Sequence, residues 1–419
     1  MLKNNTSAVF KNKQFNNLIT YGVGQGFNLI TPLLVVPYIV YVCGIENFGK
    51  TSIGMAICFF LMVFIDYGSD IIGVKDVAVN RENPAQLEKI FITTFSTKFL
   101  LLLIVLLIAS LLFYFIPFFH AEKELFFLGL PILIGQFINP TWFLQGIENF
   151  KWITILTIFS KAIYLLGILF FIQQKSDYIF VNLWWGIGTI LANTIAFFFI
   201  VQSNAFSFKK IKRENIILLF RNNFSLFSSQ IFMSLQMYSP IMLIGVFGTN
   251  IMAGQFKIVD QVIVIFKTYI HLFFNFVYPR ICFLLEKKRS EGIEFWKKYN
   301  GLNFIFIIMA MCFVSLFAKE IVSYFTLNNV NDISFLLQVA TLIPIALAVS
   351  IPLKQLLLGS NKQGVYIKTT TVVVILNVLI MIAVLPKFEI LGVLCSLVAI
   401  EIITILIYYI SLKEIFWRK

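Results

Sequence analysis

From Phe99 to Phe119 the chain runs through twenty-one residues without a charge, and apolar blocks of about 20 residues recur from one end of the sequence to the other. At ~1.5 Å of rise per residue, a helix of that length crosses a hydrocarbon layer ~30 Å thick. No water is present at that depth to bond the backbone, so a spanning segment must satisfy its own N–H and C=O groups as a helix, or close into a barrel. A barrel would show segments of roughly ten residues alternating apolar and polar, and these runs do not alternate. The composition agrees: 59% of the residues are hydrophobic and 13% charged, too little polar surface to cover a water-soluble domain.

The blocks predict about twelve spans, near 17–41, 51–72, 90–119, 125–147, 153–173 and 179–202, then 223–247, 254–281, 301–321, 333–358, 365–385 and 390–411. The fold class is therefore all-α, a polytopic membrane protein. The basic stretch 202–222 divides the spans six and six, which predicts an N-terminal lobe over 1–210 and a C-terminal lobe over 211–419. A faint repeat crosses that linker: Asn17, Gln25 and Gly49 return as Asn222, Gln230 and Gly254, at a constant offset of 205. With equal span counts, it favours two lobes of parallel topology, a common transporter plan. Prolines inside spans, such as Pro32, Pro37, Pro240 and Pro352, each remove a backbone donor and permit a kink.

The net charge of +13 does not point to a nucleic-acid partner, because Lys and Arg sit in short tracts between apolar blocks rather than on one soluble face. Lys75, Lys89, Lys151, Lys209, Lys210, Lys212, Arg213 and the Lys287–Arg289 run fall on one set of loops, and few cations fall on the other. That imbalance in short loops places both termini in the cytoplasm. No loop is long enough for a separate catalytic domain. The five cysteines lack CxxC spacing and read as small apolar residues, no GxxxxGK[ST] loop is present, and no cofactor or metal is expected. The first apolar stretch is too long for a cleaved signal.

What topology leaves unexplained are charges at bilayer depth. Lys98 and Lys161 lie eight residues inside their spans, about 12 Å deep by helical rise. Lys267 sits mid-span, with Lys257 and Arg280 toward the ends of the same helix and Lys354 near the end of the tenth. A lysine facing lipid at mid-depth costs about 2.5–3.5 kcal/mol on insertion scales. Asp260, Lys267 and His271 fall within roughly 40° of one another on a helix, while Asp66 and Asp70 end the second span and Glu401 lies deep in the last. Two readings stand side by side. In one, carboxylates neutralise the lysines and hold helices in register. In the other, the cations line a wet cavity and hold a polyanionic substrate, and the acids with His271 serve ion coupling or charge pairing.

Several segments resemble the Wzx-type flippases for O-antigen and other polysaccharide repeat units, the polysaccharide-transporter branch of the multidrug/oligosaccharidyl-lipid/polysaccharide (MOP) exporter superfamily. The most specific is Pro140-Thr-Trp-Phe-Leu-Gln-Gly-Ile-Glu-Asn-Phe-Lys151, followed ten residues on by Lys161. Pro32-Leu-Leu-Val-Val-Pro37-Tyr, Gly44-Ile-Glu-Asn-Phe-Gly49, Asp66-Tyr-Gly68, Leu385-Pro-Lys-Phe and Glu401 support it. The chain departs from the family pattern at Lys75-Asp76-Val77-Ala78, where arginine is usual, and at Gly254-Gln255-Phe256, where an aromatic pair is common.

The resemblance implies a MATE-like arrangement of two six-helix lobes in a bacterial inner membrane. It implies translocation of an undecaprenyl-pyrophosphate-linked oligosaccharide from the cytoplasmic to the periplasmic leaflet by alternating access, driven by an ion gradient. It also implies partners in the bilayer, a polymerase and a chain-length regulator. The competing functions are a multidrug exporter of the same superfamily, which a cationic cavity opposes, and a membrane polymerase or glycosyltransferase, which would need a sizeable outer loop.

Overall fold

In a computed structural model, residues 2–206, 213–360 and 362–417 are described, with the side chains of 2–19, 21, 363 and 414–417 left out. The basic positions Lys209, Lys210 and Lys212 lie outside the described residues.

The described chain is helical throughout. In order, α1 is Leu2–Cys43, α2 Ile45–Asp66, α3 Val74–Asn80, α4 Pro84–Phe115, α5 Pro117–His120, α6 Lys123–Gly129, α7 Pro131–Ile138, α8 Thr141–Gly146 and α9 Phe150–Phe171. Then come α10 Val181–Ser203, α11 Arg213–Phe247, α12 Asn250–Lys287, α13 Arg289–Leu316, α14 Ala318–Phe325, α15 Val330–Ala340, α16 Leu342–Gly359 and α17 Gln363–Trp417. A π-helical turn, Ser69–Gly73, joins α2 to α3, and a 3₁₀ turn, Lys175–Phe180, leads into α10.

Local chemistry sets the starts of these helices. Asn83 caps α4 by accepting the Gln86 N–H, with Pro84 in the first turn, where its missing donor costs nothing. Asn149 caps α9 and Thr249 caps α12 in the same manner. Prolines act by position: Pro131 opens α7 and Pro140 precedes α8, so the fourth expected span is three short helices, whereas Pro32 and Pro37 lie inside an unbroken α1.

Among the described residues, eleven segments are long and apolar enough to cross a membrane. The last of them, Gly364–Lys413, has 50 residues, about 75 Å of helix and more than twice a bilayer core. It breaks at Glu389, whose φ of 50° and ψ of −140° are not helical, just beyond Pro386. Counted as two arms, it restores the twelve spans expected from hydropathy. The faces confirm what surrounds them. On α4, Leu102, Val105, Ala109 and Phe113 are buried, while Leu103, Leu107 and Leu111 stand exposed one helical row away. An apolar face this continuous is a lipid-facing surface.

The chain forms two compact units, one running up to Gly44 and again over Ile53–Ser234, the other comprising Ile45–Ser52 and Leu235 onward. In the first, Phe91, Phe95, Trp142 and Phe143 centre an aromatic core. Small residues bring its helices close: a Cβ on Gly188 of α10 would lie 2.6 Å from the Ser160 carbonyl of α9. In the second, Leu353, Leu356 and Leu357 of α16 pack on Tyr408 and Leu412 of α17.

Candidate functional site

The first unit builds its polar interior from the end of α2. Tyr67 and Gly68 both take left-handed backbone conformations, φ 45° and 78°, which stops the helix at Asp66 and turns the chain into the π-helical segment. Asp66 then lies against α4, where Lys98 Nζ is 2.9 Å from its Oδ1, and against α7, where Gln136 donates to its other oxygen. The polar chain continues, as Asn139 donates to Gln136 and Thr141 Oγ1 donates to Asn139 at 2.6 Å. Lys98 is almost fully enclosed, its side chain 2% exposed, so its charge is neutralised by the carboxylate rather than by water. Asp70, one turn on, accepts from Gln230 at 2.7 Å.

Lys161 is treated differently. It is buried on α9, and its Nζ lies 3.3 Å from the centroid of the Trp185 ring of α10. Tyr164 meets that ring edge-on and Phe59 meets it tilted, at centroid distances of 5.1 and 5.5 Å. The close approach of α10 at Gly188 brings the ring down onto the lysine. No carboxylate pairs with Lys161 among the described residues. A cation–π contact is worth about 2 kcal/mol when desolvated, and it leaves the positive charge uncancelled.

The second unit gathers its charges around α12. Asp260 receives both Lys257 at 2.9 Å and Lys267 at 3.3 Å, so one carboxylate serves two ammonium groups. Glu401 of α17 is buried and accepts from Ser350 Oγ at 2.7 Å, and the charges of Lys267 and Lys354 act on it. Lys354 sits over the Phe274 and Tyr366 rings, 5.6 and 4.6 Å from their centroids. With both acids ionised, three lysines against two carboxylates leave one positive charge in excess. Arg280 lies apart, over Phe283, and His271 is exposed on α12.

Of the positions singled out in the sequence, the structure thus joins Lys98 with Asp66, and Lys257 and Lys267 with Asp260. It sets Glu401 within the field of Lys267 and Lys354. The pairings of Gln136, Ser350 and Gln230 were not foreseen from the sequence, since these are ordinary polar residues whose partners lie far along the chain, and nor was Trp185 as the partner of Lys161. Trp142, in the Pro140–Lys151 block, is enclosed in the aromatic core.

Residues 15–284 match the family described as polysaccharide biosynthesis protein, which is more than half of the chain. The chain belongs to that family. Two bacterial relatives carry the likeness further. A protein of Escherichia coli (strain K12) named as an O-antigen transporter is 24% identical over 282 residues, covering 67% of this chain and 68% of its own. One of Shigella dysenteriae, named likewise, is 20% identical over 296 residues, covering 71% and 73%. The kinship with Wzx-type flippases expected from the Pro140–Lys151 block is therefore shown. This chain shares the MOP fold with more distant solved structures. The lipid II flippase MurJ in an inward closed conformation superposes with a TM-score of 0.74 at 16% identity, over 94% of this chain and 87% of that one. An inward-facing multidrug resistance MATE family transporter gives 0.71 at 13%, over 94% and 98%.

Proposed function

We propose that this membrane protein is a flippase that carries an undecaprenyl-pyrophosphate-linked oligosaccharide repeat unit from the cytoplasmic to the periplasmic leaflet of a bacterial inner membrane, and performs no covalent chemistry. The observation that carries the reading is Lys161, an enclosed ammonium group with an aromatic ring beneath it and no carboxylate beside it. A charge at that depth is costly unless something anionic visits it, and a diphosphate supplies two or more negative charges. Lys267, with its carboxylate shared and one positive charge in excess nearby, is the matching group in the second unit. Lys354 and Lys257 extend the positive field around it, whereas Lys98 is held by Asp66 and Arg280 lies apart.

In this reading the two six-helix lobes, 1–210 and 211–419, exchange access between the two faces of the membrane, and both termini are cytoplasmic. An ion gradient drives the cycle, with Glu401, Asp260, Asp66, Asp70 and His271 as candidates for coupling. The names of the bacterial relatives support a polysaccharide substrate. The excess of cations opposes the export of organic cations. A deletion strain tests the proposal: single repeat units should accumulate on the cytoplasmic leaflet and surface polysaccharide should be lost. Export of single, unpolymerised units would point to a polymerase instead.

A further inference from the structure

In the first unit, with Lys161 not among its lining residues, a cavity of about 500 Å³ lies among three helix faces. One face belongs to the π-helical turn and α3, another to the first turns of α4, and the third to the first turns of α11. Along α4 the lining positions recur at helical spacing, from Gln86 through Lys89 to Thr93, and α11 repeats the pattern from Asn215 to Asn222. Ten of the sixteen lining residues carry a hydroxyl, amide or ammonium group, in a chain that is otherwise dominated by apolar side chains.

Charge and an orphan donor identify what such a cavity would hold. Lys75 and Lys89 bring two ammonium groups against the single carboxylate of Asp76. Ser69, 4% exposed, lines the cavity, and its Oγ is buried with no hydrogen-bond partner among the described residues. A buried hydroxyl without a partner costs about 1–3 kcal/mol, a cost that an acceptor in the cavity removes once the Ser69 side chain turns toward it. A metal cation is disfavoured, since among the described residues no group of three or more His, Cys, Asp or Glu could hold one. An oxyanion suits both the cations and the hydroxyl. The volume exceeds that of a single small ion and admits an esterified phosphate. The lining elements connect spans or begin them, so the cavity opens where apolar helix gives way to polar chain, the level at which lipid headgroups lie.

We infer that this cavity is a binding site for a phosphate-bearing group, either a lipid phosphate or a soluble phosphate or diphosphate, held by Lys75 and Lys89 and bonded by Ser69. It is separate from the deep lysines on which the transport reading rests.

The test uses the full chain in phosphatidylcholine nanodiscs, titrated with inorganic pyrophosphate in a calorimeter. The expected result is saturable binding that weakens ten-fold or more in Lys75→Gln/Lys89→Gln and several-fold in Ser69→Ala. Lys75→Arg/Lys89→Arg should retain it, and Lys298→Gln/Lys368→Gln, outside the cavity, should leave it unchanged. A repeat in discs containing phosphatidic acid separates the sources. A lipid occupant lowers the apparent pyrophosphate affinity of the wild type more than that of Lys75→Gln/Lys89→Gln, whereas a soluble occupant leaves that difference as it was. Absence of binding in phosphatidylcholine discs, or binding indifferent to Lys75→Gln/Lys89→Gln, overturns the inference.

Discussion

Gly49 and Gly254 occupy reciprocal positions where α2 and α12 begin. A Cβ on Gly49 would fall 1.8 Å from the Asn250 carbonyl oxygen, and one on Gly254 would fall 2.2 Å from the Ile45 carbonyl oxygen. Both pairs are related by the offset of 205 residues that the sequence shows between its halves. Ile45 matches Asn250 as Gly49 matches Gly254, so each helix start uses its glycine to admit the other's first carbonyl. Three weak identities in the sequence thus include one with a clear physical reason.

Gly49→Ala and Gly254→Ala should each destabilise the protein by about 1–3 kcal/mol or more, because the obstacle is backbone and cannot rotate away. Gly22→Ala, where nothing lies within 4 Å, should be neutral or slightly stabilising. Thermal unfolding in detergent measures the difference, and equal melting temperatures for Gly49→Ala and Gly22→Ala would remove this contact from the account.

The Lys98–Asp66 pair predicts a strong coupling. Lys98→Ala alone leaves Asp66 with Gln136 but without its cation, and breaking such a pair costs about 3–5 kcal/mol. The double variant Lys98→Ala/Asp66→Ala should be less damaging than the sum of the single variants. A double-mutant cycle on unfolding free energy checks this, and simple additivity would mean that the pair contributes nothing.

Trp185 should matter to transport through Lys161. Trp185→Phe keeps an aromatic face beneath the ammonium group and should retain most surface polysaccharide, whereas Trp185→Leu, apolar but without a ring face, should lose most of it at equal membrane abundance. Equal glycan from the two variants would reduce Trp185 to packing.

Glu401 is the best placed acid for coupling, being buried, bonded to Ser350 and within the field of two lysines. Glu401→Gln should preserve the fold, since the amide can still accept from Ser350. It should abolish acceleration of transport by an imposed proton or sodium gradient. Transport that responds to the gradient as the wild type does would place coupling elsewhere.

How far the sequence spoke depends on the range of the interaction. Spans and their number were legible because hydropathy is local, and the polar stripe of Asp260 and Lys267 because helical spacing is local too. The turn at Tyr67 and Gly68 carried only Gly68 as a signal, and nothing in the sequence foretold a left-handed tyrosine beside it. That Lys98 meets Asp66 while Lys161 meets Trp185 is decided by packing between helices far apart in the chain, and both lysines look alike to a reader of sequence. Lys75 and Lys89 were hidden for the opposite reason, since topology already accounted for them.

The most direct test of the central claim is a flipping assay in proteoliposomes loaded with a fluorescent lipid-pyrophosphate-linked oligosaccharide, comparing the wild type with Lys161→Ala and Lys267→Ala at matched reconstitution. Each variant should lose translocation at least ten-fold, while the same glycan on a neutral lipid should not be translocated even by the wild type. Wild-type rates in both variants would contradict that claim.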